Sequence, residues 1–592
     1  MRIFVEEYPY RSEAAKAILD NFEPKTTENG VSSEYVGYCY DKNIQDCVFF
    51  LPKVICDVND KVFGLDPEQI VNVRESALNQ DQKEFLSGLS VWVYRALKEF
   101  STQSDSSKVL RQSLFSQVSE SEEKHGTYLD ILLSIKKFYE ENKDFFIFTL
   151  KNIHSQQHKV NWRRTISHSS AIIQDGAPLY LDPISKKKVV NWEEELMIIF
   201  FSILEYMNRF GFGISTDINY DIIKGEMFQS YIDGLGLKRL RQIRHKYFSD
   251  KTRKLWLLCY SFFEKAEQVA SSKQPLDCLM ATSFHVVFES MVDTLLGDPS
   301  YDDWKKLGDG KVIDHIYKYR SLFSPDDIFY IGDSKYYRIG RGPQERSEST
   351  YKQFSYARTI VNDSIRLSLG NTWPYRDPLT EGYAVTPNFF ISAETDPQLR
   401  YETDGLDCLM LEGKPILARQ FVNRLFDRDT LWVKQYNLNF LYLLSVYASA
   451  DTGARVAFKN KARLFFKNKT IDLLNSKYEF YVLEPKNGLR LEDFIGADLK
   501  WQLRGMCYRL GKDSNQMILA VERPSDIDEN SDPSILYDNF LIEEDVKRIH
   551  PIIRDCFTIR RCALSKNPNA IIEQFCETQL DVGIFSAGEA ED

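Results

Sequence analysis

In this chain of 592 residues, the side chains best suited to chemistry are Asp314, Asp333 and Lys335, with Glu289 before them and Gln353 after. Residues 312–322 and 327–337 are rich in Ile, Val, Tyr and Phe, which fit a pleated surface. Between them stand Ser324, Pro325, Asp326 and Asp327, a turn in which proline pre-sets φ and serine suits the first position. The two runs read as an antiparallel hairpin. Centred near Ser324 and Pro325, it sets Asp314 opposite Lys335. Alternation along a strand puts Asp333 and Lys335 on one face, and that face also receives Asp314. Two carboxylates and an ammonium then converge. A hard divalent cation such as Mg²⁺ takes oxygen ligands, lowers the pKa of a bound water and stabilises charge on a phosphate oxygen. A lysine beside that water can position or deprotonate it.

An acidic residue two places before a lysine also occurs at Asp81/Lys83, Asp303/Lys305, Asp309/Lys311, Glu412/Lys414, Glu484/Lys486 and Asp545/Lys547, so the spacing by itself is unspecific. What separates Asp333 and Lys335 is the apolar run IFYIG ahead of them, which sets both charges at the end of a buried strand, where unpaired charge is costly. A structural ion pair with Asp314 is the competing reading. Residues 276–296 carry Leu276, Met280, Phe284, Phe288, Met291 and Leu295 at helical spacing and read as one buried helix. Glu289 is the acidic residue in its middle, positioned to lean over Asp314. After the hairpin, a second helix opens on Tyr351, Lys352 and Gln353.

Helix Glu, strand Asp, then Asp-x-Lys on the next strand resembles the PD-(D/E)XK nuclease arrangement. The stretch IGDSKYYR (331–338), followed after a polar loop by STYKQFSYA (349–357), resembles more closely the signature of the LlaJI family of restriction endonucleases, relatives of the nuclease subunit McrC. That pattern is a hydrophobic pair, Asp-Ala-Lys-Tyr-Tyr, and later Lys-Gln before an aromatic. Ser334 stands where the family commonly has alanine. The resemblance extends to residues 34–54 and 177–182 and covers roughly residues 30–360. It implies hydrolysis of phosphodiester bonds in double-stranded DNA, within a restriction system of anti-phage defence, beside a separate McrB-like AAA+ GTPase. Asp314 and Asp333 would bind Mg²⁺ (or Mn²⁺), Glu289 would complete or orient the metal shell, and Lys335 would position the attacking water. Gln353 would hold the lysine, a ligand water or a phosphate.

About four domains are expected from the length: a β-rich module (1–75), which the resemblance implies is the partner-docking region, a mainly helical domain (76–271), the PD-(D/E)XK nuclease domain (272–395) and a mixed α/β C-terminal region of unknown role (396–592), together an α+β or α/β multidomain fold. Expected strands in the first are RIFVEEY, EYVGYCY, DCVFFLPKV and KVFGL. Helices are expected in DQKEFLSGLSVWVYRALKEFS, YLDILLSIKKFYEENKDF, NWEEELMIIFFSILEYMNRF and TRKLWLLCYSFFEKAEQVASS, an exposed loop or partly helical connection in the Ser-rich stretch 101–121, and strands or extended loops in NWRRTISHSS and APLYLDPISKKKVV, with Lys186 to Lys188 in a turn. In the last region a long apolar helix is expected from about Thr430 to Ala448, capped by Asp429 or Thr430. ARLFFKN, KYEFYVLEP and SNQMILAVERP read as alternating runs, and the acidic tail SAGEAED as disordered.

Ten scattered cysteines without a C-x-x-C pair indicate neither a zinc site nor a disulfide framework. The amino terminus lacks a signal peptide's apolar core and no apolar run reaches membrane-spanning length, so a cytoplasmic protein is expected. The net charge of −11 restrains DNA binding to local patches or to a partner's electrostatics. The best basic run is KRLRQIRHKYFSDKTRK (238–254), with Trp256 beyond it. Lys238, Arg241 and Arg244 from this run, together with Lys352 and with Arg338 and Arg341 just after the Asp-x-Lys strand, are the candidate DNA contacts. No G-x-x-x-x-G-K-[ST] occurs, so the motor is expected on another chain. Two alternatives remain open: a stand-alone repair or junction nuclease of the same fold, and a non-catalytic module that binds DNA or a partner.

Overall fold

A computed structural model describes residues 1–103, 106–112, 126–147, 149–154, 159–189, 194–210, 212–214, 220–271, 276–306, 312–337, 345–367, 374–395, 401–402, 406, 415–421, 423–449, 451–494, 500, 503–523, 556–567 and 570–574. The chain divides into two compact units, Met1–Pro52 with Leu65–Phe284, and Lys53–Gly64 with His285–Asp592. Among the described residues, no helix is long and apolar enough to cross a membrane.

The first unit is built on a five-stranded sheet of β1 (Arg2–Val5), β2 (Val36–Asp41), β3 (Asp46–Leu51), β4 (Leu110–Gln112) and β5 (Leu276–Ala281), in the order β1-β3-β2-β5-β4. Its helices include α1 (Gln80–Phe100), α2 (Tyr128–Glu141), α3 (Glu195–Asn208), α4 (Gly236–Ile243) and α5 (Asp250–Ser271). The start of α1 is set by a capping box: Asn79 Oδ1 accepts the Gln82 N–H at 2.8 Å, and Gln82 returns its side chain to the Asn79 N–H at 3.0 Å. A buried ion pair, Lys265 of α5 with Asp277 of β5 at 3.6 Å, joins helix to sheet. The same Asp277 accepts the Tyr128 N–H at 2.7 Å and fixes the start of α2.

The single helix expected over 276–296 is two elements, β5 and α6 (Phe284–Leu296). Residues 276–281 find main-chain partners on both sides, β2 and β4, while Cys278 and Met280 pack with Phe4, Val48 and Phe50. Two neighbours to pair with decide the matter, because a short apolar run is ambiguous by periodicity. Other expectations also change. NWRRTISHSS contains a helix, Trp162–His168, capped by Asn161. Lys186 to Lys188 lie in a strand, Ile184–Val189, paired with Thr149–His154. KVFGL forms only an isolated bridge, Cys56 to Val62. Residues 104–105 and 113–121 of the Ser-rich stretch lie outside the described residues.

The second unit holds a mixed sheet of β6 (His315–Arg320), β7 (Asp327–Lys335), β8 (Asn388–Glu394), β9 (Ile416–Ala418) and β10 (Leu431–Asn439), ordered β6-β7-β8-β10-β9. β6 and β7 form the expected hairpin. From β7 the chain crosses through α7 (Glu345–Leu367), which begins six residues before the expected Tyr351, to the parallel strand β8. The helix expected over 430–448 again divides, into β10 and α8 (Phe440–Ala448). Asn439 caps α8, its Oδ1 accepting from Leu441 and Tyr442, in place of Asp429 or Thr430. ARLFFKN lies within α9 (Thr452–Lys477). A second five-stranded sheet follows, ordered Cys507–Arg509, Met517–Glu522, Tyr478–Pro485, Phe557–Leu564 and Ile572–Gln574. The acidic tail lies outside the described residues.

Candidate active site

β6 and β7 pair with His315 opposite Gly332 and Arg320 opposite Asp327. Carried one residue further, this register sets Asp314 opposite Asp333, two residues short of the expected Lys335. The cause is the turn, which spans residues 321–326 and is closed by the Ser321 N–H on the Asp326 carbonyl at 2.9 Å. A shift of two preserves side-chain parity, so Asp314, Asp333 and Lys335 share a face as expected. Lys335 is ion-paired with Asp333, their side chains 18% and 14% exposed. The Lys335 ammonium also lies 5.2 Å from the ring centroid of Phe390, the β8 partner of Asp333.

Asp314 accepts the Ser334 N–H at 3.0 Å. Its carboxyl is nevertheless held well above the carboxylate range, first by burial, then by the hydrogen bond and charge it shares with Asp333 and by the charge of Glu289. Glu289, from the middle of α6, is pushed up to about 7 by burial and by the Asp333 carboxylate, with Lys335 opposing. Three acidic side chains thus crowd one ammonium. Protons are retained where positive charge is in short supply, and an all-oxygen donor set with surplus negative charge suits a hard cation. Among the described residues, no three His, Cys, Asp or Glu side chains converge as a metal's ligands would. The donor chemistry fits a divalent cation, while the Asp333 carboxylate is engaged by Lys335.

Gln353, fully buried on α7, donates from Nε2 to Asn388 Oδ1 at 2.5 Å, and its Oε1 has no hydrogen-bond partner among the described residues. Asn388 is two residues before Phe390 on β8, so it shares the face of Asp333 and Lys335. Gln353 therefore reaches the carboxylate face, one strand across. Lys352 beside it is exposed.

Sequence reading missed what lies behind this face. Asp293 is one helical turn after Glu289 on α6, a second acidic residue in a helix read as having one at its centre. Its Oδ2 pairs with Lys305 at 2.6 Å, and its Oδ1 lies 3.3 Å from Nδ1 of His315. Burial opposes the charge of Asp293, yet hydrogen bonds from His315 and Lys305 hold its pKa below the ordinary carboxylate value. His315 is fully buried, and its Nε2 stands 2.6 Å from Ser334 Oγ. The imidazole bridges the Asp293 carboxylate and the Ser334 hydroxyl. Ser334 thus holds Asp314 through its N–H and α6 through His315. The signal available in sequence was the i, i+4 spacing of Glu289 and Asp293, with His315 adjacent to Asp314 but alternating to the opposite face.

Of the candidate DNA contacts, Arg338 and Arg341 lie outside the described residues. Lys238, Arg241 and Arg244 belong to the first unit, and all three are exposed.

A family model, LlaJI restriction endonuclease, matches residues 69–372. The chain belongs to the LlaJI restriction endonuclease family. This span covers α6, the β6–β7 hairpin and all of α7, and so every residue of the site except Asn388 and Phe390. Membership places the chain among restriction nucleases, which are hydrolases acting on DNA. No curated protein and no solved structure matches the chain.

Proposed function

We propose that this LlaJI-family chain is a metal-dependent endonuclease of the PD-(D/E)XK type that cleaves double-stranded DNA as the nuclease subunit of a restriction system, beside an McrB-like AAA+ GTPase. One observation carries the reading: Asp314, Asp333 and Lys335 share a sheet face on which Glu289 and Asp314 both have raised pKa values. Buried carboxyls that resist ionisation in the folded chain are matched to a site that gains positive charge. The order α6, β6, β7, α7, β8, with the acid-x-lysine pair on the second hairpin strand, supports the fold reading.

Asp314, Asp333 and Glu289 would hold the Mg²⁺ or Mn²⁺ ion, which when bound lowers the pKa of a water and offsets charge on the phosphate. Lys335 orients that water towards phosphorus and screens the attacked phosphate's charge. The buried Oε1 of Gln353 is an acceptor available to the lysine or to a ligand water. Ser334 and His315 keep the strand carboxylates and the helix glutamate in register. Burial of these groups strengthens each interaction by excluding solvent.

Plasmid cleavage with Mg²⁺, by the wild-type chain and by Lys335→Ala, alone and with the product of the neighbouring gene, tests the reading. Cleavage that needs a nucleotide-hydrolysing neighbour and is lost in Lys335→Ala is the expected result. Cleavage by the chain alone moves the reading to a stand-alone nuclease, and cleavage that survives Lys335→Ala and Asp333→Ala removes the site.

A further inference from the structure

The basic run 238–254 folds back on itself. α4 ends near Ile243, a short turn carries Arg244 to Lys246, and α5 returns from Asp250. Between the two lies an open cavity of about 870 Å³ whose lining includes Arg241, Arg244, Arg253, Lys254, Phe248 and Trp256 and, among the described residues, contains no aspartate or glutamate. In a chain with 86 acidic and 75 basic residues, a cavity lined by one sign of charge is a local reversal. Among the described residues, Arg244, Arg253 and Lys254 form no ion pair with a carboxylate.

The aromatic residues hold the cations in place. The Trp256 Nε1–H is tied to the Leu240 carbonyl at 2.7 Å, and its ring stacks on Tyr260 at 5.0 Å. Arg244 lies 5.4 Å from the Trp256 ring centroid, and Arg241 donates to the Tyr260 hydroxyl at 2.9 and 3.2 Å. Two guanidinium groups are thereby pre-positioned without being neutralised. Phe248 differs from these rings. Its side chain is 83% exposed at the cavity, in a position where an apolar ring gains nothing from the protein core.

We infer that this cavity binds single-stranded or locally unpaired DNA, the cations meeting successive phosphates and Phe248 stacking on an unpaired base. Unpaired cations answer the phosphate charge, which either form of DNA carries. Phe248 chooses between the forms, because base faces are hidden inside a duplex and open in a single strand. The inference rests on the proposed function only for the identity of the polymer as DNA, and the site is on a different unit from the carboxylates.

The test is fluorescence anisotropy with the full-length Lys335→Ala chain in EDTA, using labelled oligothymidylate and a duplex of the same length over a range of salt. Expected is at least about fivefold tighter binding of the single strand, with Phe248→Ala removing that preference. Arg253→Ala with Lys254→Ala should flatten the slope of log K against log salt by about 0.7 per cation removed. All three side chains are exposed, so the variants retain the fold. Equal affinity for both forms, or binding by these variants that matches the parent, overturns the inference. Wild-type protein that binds the single strand but does not cut with Mg²⁺, either alone or with the product of the neighbouring gene, removes the nuclease reading and leaves this site standing. Cleavage by the wild type with unaltered binding by the variants does the reverse.

Discussion

Replacing Glu289 by glutamine keeps the size of the side chain and removes one of the two charges that the metal-free fold accommodates poorly. Its carboxyl is held at about 7 against an ordinary 4.5. Because the folded pKa is the higher of the two, the native state binds the proton more tightly than the unfolded chain. Stability is therefore greatest below the ordinary value and is lost as pH rises through about 7. At about 1.4 kcal/mol for each tenfold change in proton affinity, the full cost of this shift is about 3.5 kcal/mol. Glu289 is only partly buried, and solvent screening brings this to about 1–2 kcal/mol. Asp314, also raised, adds to the same trend. Denaturant unfolding in EDTA, from pH 5 to pH 8.5, should show wild type losing stability across this range and Glu289→Gln losing about 1–2 kcal/mol less. At the alkaline end the variant should be the more stable protein. Mg²⁺ should then stabilise wild type at pH 8 and do so less for the variant, since metal binding competes with protons for the same oxygens. Parallel stability curves for the two proteins in EDTA would refute the crowding of charge from which the cation site is inferred.

Asp333→Ala and Lys335→Ala should each lower the rate of plasmid cleavage by at least about 100-fold with unchanged far-ultraviolet circular dichroism, because both act on the developing charge. Ser334→Ala installs the residue common in the family, yet it strands Nε2 of a fully buried histidine; urea titration should show a loss of about 1–3 kcal/mol, and equal stability would remove the link through His315. Gly332→Ala drives a Cβ to 2.3 Å from the Phe389 ring, itself stacked on Phe466, and should cost about 1–3 kcal/mol in the same titration. Chelation by EDTA should abolish cleavage and excess Mg²⁺ should restore it; cutting that persists in EDTA counts against a metal.

Much of the site could be read from residue order because it depends on local rules. The alternation of IFYIGDSK puts Asp333 and Lys335 on one side whatever surrounds the strand, and the turn residues predict a hairpin even when its centre is misplaced by one residue. Parity made that error harmless. Most residues of the two family motifs, 331–338 and 349–357, also lie within β7 and α7, elements whose type follows from their own composition. The errors share one physical origin. Residues 276–281 and 431–439 are apolar enough to suit a helix or a strand, and both became strands because neighbouring strands from distant parts of the chain paired with them on each side. No local pattern carries that information. Ser334 stands where the family commonly has alanine, on the face opposite the carboxylates, and only the packing of α6 behind β7 gives its hydroxyl a partner in His315. Sequence by itself determined which carboxylates and which lysine can act together, since strand periodicity is intrinsic to the backbone. Tertiary structure alone decided how strongly Glu289 and Asp314 resist ionisation, because burial and the meeting of a helix with the hairpin set the field each of the two experiences.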